Sequence, residues 1–283
     1  VDRVTISPAP TPYTAHPRAN RLDDWDLVPV SKQMWYLMLR GAPEIVNHVV
    51  GAWPRAKSIN IHPHDQPQWT HRIRLDFAPH EELKEFLDLL RKILVLWVRG
   101  SSDLDGAVAL DFYKKPSATD PTQLENTPTA ELIRTIKGYR SCDNAEVMRA
   151  GRALCDDLYE VVMQHPWLNR ADRILPVPGH SRSGPPSASV RLGAALHHDL
   201  GIPLTQIYTR HEHRTSAKDM KLLSERTALL GEFRIRENLE DKSVLIVDDI
   251  YHTGCTMAGV ARAARHAGAT TILGLVAARV IRY

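Results

Sequence analysis

Cysteine is scarce in this chain. Cys142, Cys155 and Cys255 are the three among 283 residues. They have no metal-ligand spacing and no even-numbered pairing, which argues against a zinc module and against a disulfide scaffold. A reducing, cytoplasmic setting is the expectation. No run of 18 apolar residues occurs, so no membrane-spanning helix is predicted. Val1-Asp2-Arg3 is followed by no apolar stretch of the kind a secretion signal carries. The net charge of +3 is too small to point to nucleic acid by itself. No internal repeat is visible.

What is present suffices for a core, since 43% of the residues are hydrophobic. The length accommodates two domains. Residues 1–20 carry Pro8, Pro10, Pro12 and Pro17 and read as an extended arm. Residues 114–128 are polar with three prolines and read as a linker. Between them, residues 21–113 read as a small α+β module of unknown role. Ser31 is placed to cap a helix through Met34–Leu39 that stops at Gly41. Pro43 suits the first turn of a second helix. Arg72 to Phe77 alternates as a half-buried strand does. Pro79 to Trp97 keeps helical spacing through Leu83, Phe86, Leu87, Leu90, Ile93, Leu94 and Trp97. Val108, Leu110 and Phe112 alternate in a last strand.

The most informative stretch is Ser243-Val-Leu-Ile-Val-Asp-Asp-Ile-Tyr-His-Thr-Gly-Cys-Thr256. Four apolar residues, Val244 to Val247, read as a buried strand. Asp248 and Asp249 follow, then a short Gly/Thr loop, then a helix from about Met257 to Ala267. Acids at the carboxyl end of a strand, followed by such a loop at a helix N-terminus, suit a phosphorylated sugar. The carboxylates accept hydrogen bonds from vicinal hydroxyls, and backbone N–H groups with the positive helix end hold phosphate. Arg173-Ile-Leu-Pro-Val-Pro-Gly-His-Ser-Arg-Ser183 reads as a second strand entering a Pro/Gly loop. A helix from about Ser187 to Leu200 follows, stopped by Gly201. Strands near 173–177, 204–208, 243–247 and 271–277 predict an α/β fold with a mostly parallel sheet and helices on both faces. A helix bearing Val147, Ala150, Leu154, Leu158, Val161 and Val162 covers one face.

This segment resembles the phosphoribosyl-pyrophosphate (PRPP) signature of the type I phosphoribosyltransferases. The resemblance implies that Asp248 and Asp249 bind the ribose hydroxyls and that Thr253, Gly254, Cys255 and Thr256 cradle the 5′-phosphate. It places Gly179, His180 and Arg182 in a pyrophosphate-binding loop, and Arg210, Arg214 and Lys218 in a basic loop over the substrate. His252 stands where the family usually has a small residue. Leu132-Ile-Arg-Thr-Ile-Lys-Gly-Tyr139 and the order of later features, over about 126–283, look like the ComF-like, amidophosphoribosyltransferase-related subgroup. Gly184-Pro-Pro-Ser departs from that subgroup's pattern.

The implied reaction is transfer of the phosphoribosyl group from PRPP to a nitrogen nucleophile, with pyrophosphate released. Mg²⁺ is the implied cofactor, bound through PRPP beside Asp248 and Asp249. The acceptor is not readable from the sequence, and a homodimer is plausible from the family alone. Two other classes stay open: a regulator that binds PRPP or a nucleotide without turnover, and a ComF-like accessory to DNA uptake. For the latter, Arg72 and Arg74 with Trp69 are candidate nucleic-acid contacts, against the plainer reading of a solvated strand face. His62, His64 and Asp65, or His211 and His213, invite a metal reading, but no third and fourth ligands are placed by sequence.

Overall fold

Two sheets organise residues 19–98, 103–179, 186–211 and 228–281, which are those described by the computed structural model. In spatial order the larger consists of Ala19–Asn20 (β1), Leu94–Leu96 (β6), Gly106–Phe112 (β7), Thr271–Arg279 (β14), Ser243–Tyr251 (β13) and Arg173–Pro176 (β10). β7, β14, β13 and β10 run parallel, while β6 and β1 close one edge antiparallel. The smaller sheet is antiparallel: Asp24–Pro29 (β2), Trp35–Arg40 (β3), His71–Leu75 (β5) and Ala56–Ile59 (β4). Helices Pro43–Ala52 (α1) and Glu81–Lys92 (α2) belong to the same N-terminal stretch.

Strand period decides what covers each face of the large sheet. Val244 and Ile246 of β13 pack with Met257, Val260 and Ala264 of helix Cys255–His266 (α6). Leu245 and Val247 join the other core, with residues of Pro128–Ile136 (α3), Asn144–Gln164 (α4) and Ala188–Leu200 (α5). Local chemistry sets these helices. A capping box joins Asp143 and Glu146 at the start of α4. Ser187 caps α5, and Gly201 ends it in the left-handed conformation, φ 70°. The fold is thus mixed α/β, with a mostly parallel sheet and helices on both faces.

Several sequence expectations are corrected. Trp35 to Arg40 is a strand, not the continuation of a helix from Ser31. Trp35 and Tyr36 favour a pleated surface, and the segment is hydrogen-bonded on both sides, by β2 and β5. The helix expected over Pro79–Trp97 stops at Lys92, and Leu94–Leu96 turns into the large sheet as β6. Residues 204–208 do not add a strand to the parallel sheet. Leu204 makes one parallel bridge to Ile174, while Ile207–Thr209 (β11) pairs antiparallel with Phe233–Ile235 (β12). The stretch read as a linker forms a ribbon of Lys114–Pro116 (β8) and Leu124–Asn126 (β9). The large sheet runs through that boundary, because β7 pairs in parallel with β14 from Leu273↔Gly106 to Arg279↔Phe112. The core is continuous too: Phe86 of α2 sets its ring edge-on to His165, centroids 4.7 Å apart, at the end of α4. Of the Pro-rich arm, residues 1–18 lie outside the described residues. Among the described residues no helix is long and apolar enough to cross a membrane.

Candidate functional site

β13 is longer than its apolar run, reaching Tyr251, so the acid pair sits within the strand end and not after it. Alternation then puts Asp248 in phase with Val244 and Ile246, toward α6, and Asp249 in phase with Leu245 and Val247, toward α3 and α5. Asp248 Oδ1 accepts the Asp249 backbone N–H at 2.9 Å. Asp249 Oδ2 accepts from Lys137 Nζ at 2.7 Å. Lys137 is the residue at which α3 ends, its N–H returned to Ile133 O at 3.0 Å. Burial alone would lower the Lys137 ammonium. The Asp249 charge and hydrogen bond, with smaller help from Tyr139 and Asp248, carry it above the ordinary lysine value.

Beyond β13 the chain turns sharply into α6. Gly254 takes φ 77°, and a β-carbon there would lie 2.1 Å from Tyr251 Oη, so this turn requires glycine. Thr253 Oγ1 accepts the Cys255 N–H at 3.3 Å. Arg279, a buried arginine on β14, clamps the turn from behind. It donates to Tyr251 O at 3.1 Å and to His252 O, and its guanidinium lies over the Tyr251 ring. The α6 N-terminus is therefore held at a fixed place beside the acids, a geometry suited to an anion.

Asp248, Asp249, His252, Thr253, Gly254 and Thr256 line one cleft of about 1090 Å³, together with Gly179 of the loop after β10. Cys255 does not line it; this half-buried residue packs on Leu229 instead. His180, Arg182, Arg214 and Lys218 lie outside the described residues, as does His213. Arg210 is described, and its N–H donates to Glu232 O at 2.9 Å. Sequence reasoning missed one wall altogether. Tyr113, Lys114 and Leu124 from the β8–β9 region, Lys137 and Tyr139 after α3, and Arg191 of α5 all face the same cleft. Lys137-Gly138-Tyr139 carried a local signal, a cation beside a glycine of φ 68° at a helix end. Nothing in the spacing said which strand that end would meet.

Among the described residues no three His, Cys, Asp or Glu side chains converge as a metal group. On the outer face of the small sheet, Arg72 lies over Tyr36 at 4.9 Å and Arg74 forks onto Asp76 at 2.7 and 3.1 Å. Trp69 is buried. The nucleic-acid candidates are thus engaged within the protein.

Residues 183–279 match the phosphoribosyl transferase domain. The match holds α5, α6, β13 and β14, with the acid pair and the Gly254 turn. The chain is also similar to a purine phosphoribosyltransferase from Pyrococcus horikoshii Ot3. Identity there is 27%, over 46% of this chain and 70% of that one, with a TM-score of 0.28. No curated protein matches. Tyr113, the β8–β9 ribbon, Lys137 and Tyr139 all precede the phosphoribosyl transferase domain match, so part of the cleft wall is supplied by residues outside it.

Proposed function

We propose that this protein is a phosphoribosyltransferase acting on PRPP and a nitrogen acceptor. The observation that carries the reading is the Asp248–Asp249 strand end leading through Gly254 onto the α6 N-terminus, inside the segment that matches the phosphoribosyl transferase domain. The acids accept the ribose hydroxyls. Thr253, Gly254 and Thr256 surround the 5′-phosphate, where backbone N–H groups and the helix end favour negative charge. Gly179 opens the loop assigned to pyrophosphate, whose His180 and Arg182, with Arg214 and Lys218 of the basic loop, complete the proposed charge set. In the reaction a nitrogen lone pair forms the C1–N bond. The C1–O bond breaks with its electrons leaving on pyrophosphate, and the acceptor's proton passes to solvent. Carboxylates close to the ribose favour the positive charge that C1 gathers as the bond breaks.

Asp248 and Asp249 supply oxygen donors of the kind that Mg²⁺ takes, and would stand beside the ion when it arrives with the substrate. When bound with PRPP, the ion neutralises pyrophosphate charge. The wall of Tyr113, Leu124 and Tyr139 supports a flat, partly apolar acceptor. Within this reading the ComF-like resemblance rests on the order of motifs over 126–283.

The test is calorimetric titration with PRPP, with and without Mg²⁺, on the wild type and on Asp248→Asn/Asp249→Asn. Magnesium-dependent binding that the double variant loses is expected, followed by pyrophosphate release in a screen of nitrogen acceptors. A folded wild type that binds no PRPP would refute the proposal. Binding without turnover by any acceptor would leave a PRPP-sensing role instead.

A further inference from the structure

The acid pair does not wait for its ligand as a bare negative site. Lys137 Nζ lies 2.7 Å from Asp249 Oδ2, with side-chain exposures of 26% and 14%, so the ion pair is shielded but reachable from the cleft. A sugar diol that draws on Asp249 competes with the ammonium for the same carboxylate. The released ammonium would then be left in a half-buried place, where an uncompensated charge is costly. An anion must meet it.

The architecture indicates which anion. α6, whose N-terminus is assigned the 5′-phosphate, packs on one face of the sheet. Lys137 comes from α3 on the other face, which it shares with α5. The two helices are tied at this point: Arg191 of α5 donates to Ile136 O, one residue before Lys137, at 2.7 Å. α5 is the helix that follows the Gly179 loop, the side assigned to pyrophosphate. Tyr139, half exposed at the cleft, sets its ring 5.8 Å from Nζ and offers the ammonium a second face as it turns.

We propose that Lys137 is a substrate-binding residue that exchanges partners, leaving Asp249 when the ribose diol arrives and moving to the 1-pyrophosphate. The proposal rests on the phosphoribosyltransferase reading of the same cleft. In it, the ion pair guards against ligands that carry a ribose but no pyrophosphate. Such ligands compete with the ammonium for Asp249 and give it nothing in return.

Titration of Lys137→Met and Lys137→Arg with Mg-PRPP and, separately, with ribose 5-phosphate tests this. For Met, affinity for Mg-PRPP is expected to fall about tenfold or more, the worth of one charge-assisted hydrogen bond, while affinity for ribose 5-phosphate is unchanged or rises. Arginine, which keeps both the charge and the acid contact, recovers part of the loss. Equal weakening of both ligands by Met would show a structural role and overturn the exchange, as would no change in either or an Arg variant as weak as Met. A folded wild type that binds neither ligand would instead refute the ribose-phosphate reading itself, and this is scored before any variant.

Discussion

At the residue scale the site depends on two positions, one set by backbone conformation and one by a charge pair. One is Gly254. Alanine there meets the Tyr251 hydroxyl and must hold a left-handed conformation that costs about 1–2 kcal/mol for an L-residue. Gly254→Ala is expected to lower the urea midpoint and to weaken PRPP binding more than stability alone explains, because the α6 N-terminus moves; unaltered binding would argue against a phosphate role for the turn. The other is Lys137. Its raised value means that its stabilisation is complete below the ordinary lysine value of 10.5 and is lost as pH climbs through the raised one. Asp249→Asn leaves burial as the leading influence, so the ammonium is expected to titrate lower than in the wild type, readable by NMR of the labelled lysine side chain. The Gly/Thr turn and the acids were legible in sequence because one continuous stretch carries them. Lys137 was not, since its meaning depends on a partner 112 positions away.

At the element scale, α1 and α4 meet through a buried pair. His48 Nδ1 and His165 Nε2 lie 2.9 Å apart, and His165 Nδ1 faces the Leu168 N–H at 3.4 Å. That N–H makes His165 Nδ1 the acceptor, so His165 Nε2 donates to His48 and both rings are neutral. Burial lowers His48 to about 4, and burial with the His48 charge lowers His165 as well. Unfolded histidine takes a proton near 6.5, so stability is expected to fall as pH drops below that value and to go on falling toward 4. His48 alone removes about 2 kcal/mol by pH 5. Urea unfolding at pH 7.5 and pH 5 measures this, and His48→Phe is expected to flatten the difference; an acid-insensitive wild type would contradict it. Both histidines are ordinary in sequence, and only the packing of α1 against the end of α4 makes them a pair. The misread strand at Trp35–Arg40 has a related cause. Six mostly apolar residues satisfy a helical or an extended pattern equally, and the neighbouring strands β2 and β5 decide.

At the scale of the whole molecule, the parallel strands β10, β13 and β14 were readable from apolar runs bounded by turns, but the place of β7 beside them, and with it the division of the chain, was not. Prolines at 116, 121 and 128 suggested a linker, whereas β7 lies on one side of that stretch and its parallel partner β14 far on the other. A fragment of residues 129–283 would leave β14 as an open edge with Leu273, Leu275 and Val276 still apolar on both faces. It is expected to aggregate or to lack a cooperative thermal transition by circular dichroism, while the full chain shows one. A soluble, cooperatively folding fragment would mean that the N-terminal stretch is dispensable to the core.

The place of β14 also bears on the order in which the molecule can assemble as it is made. Of the described strands it is synthesised last, yet it lies between β7 and β13. Until it emerges, β6–β7 on one side and β13–β10 on the other are half-sheets with nothing to join them. Sheet closure therefore waits for β14, and a growing chain carries two unpaired edges that invite intermolecular pairing until it emerges. The cleft, whose Gly254 turn is clamped by Arg279 of that same strand, cannot be complete before β14 is in place.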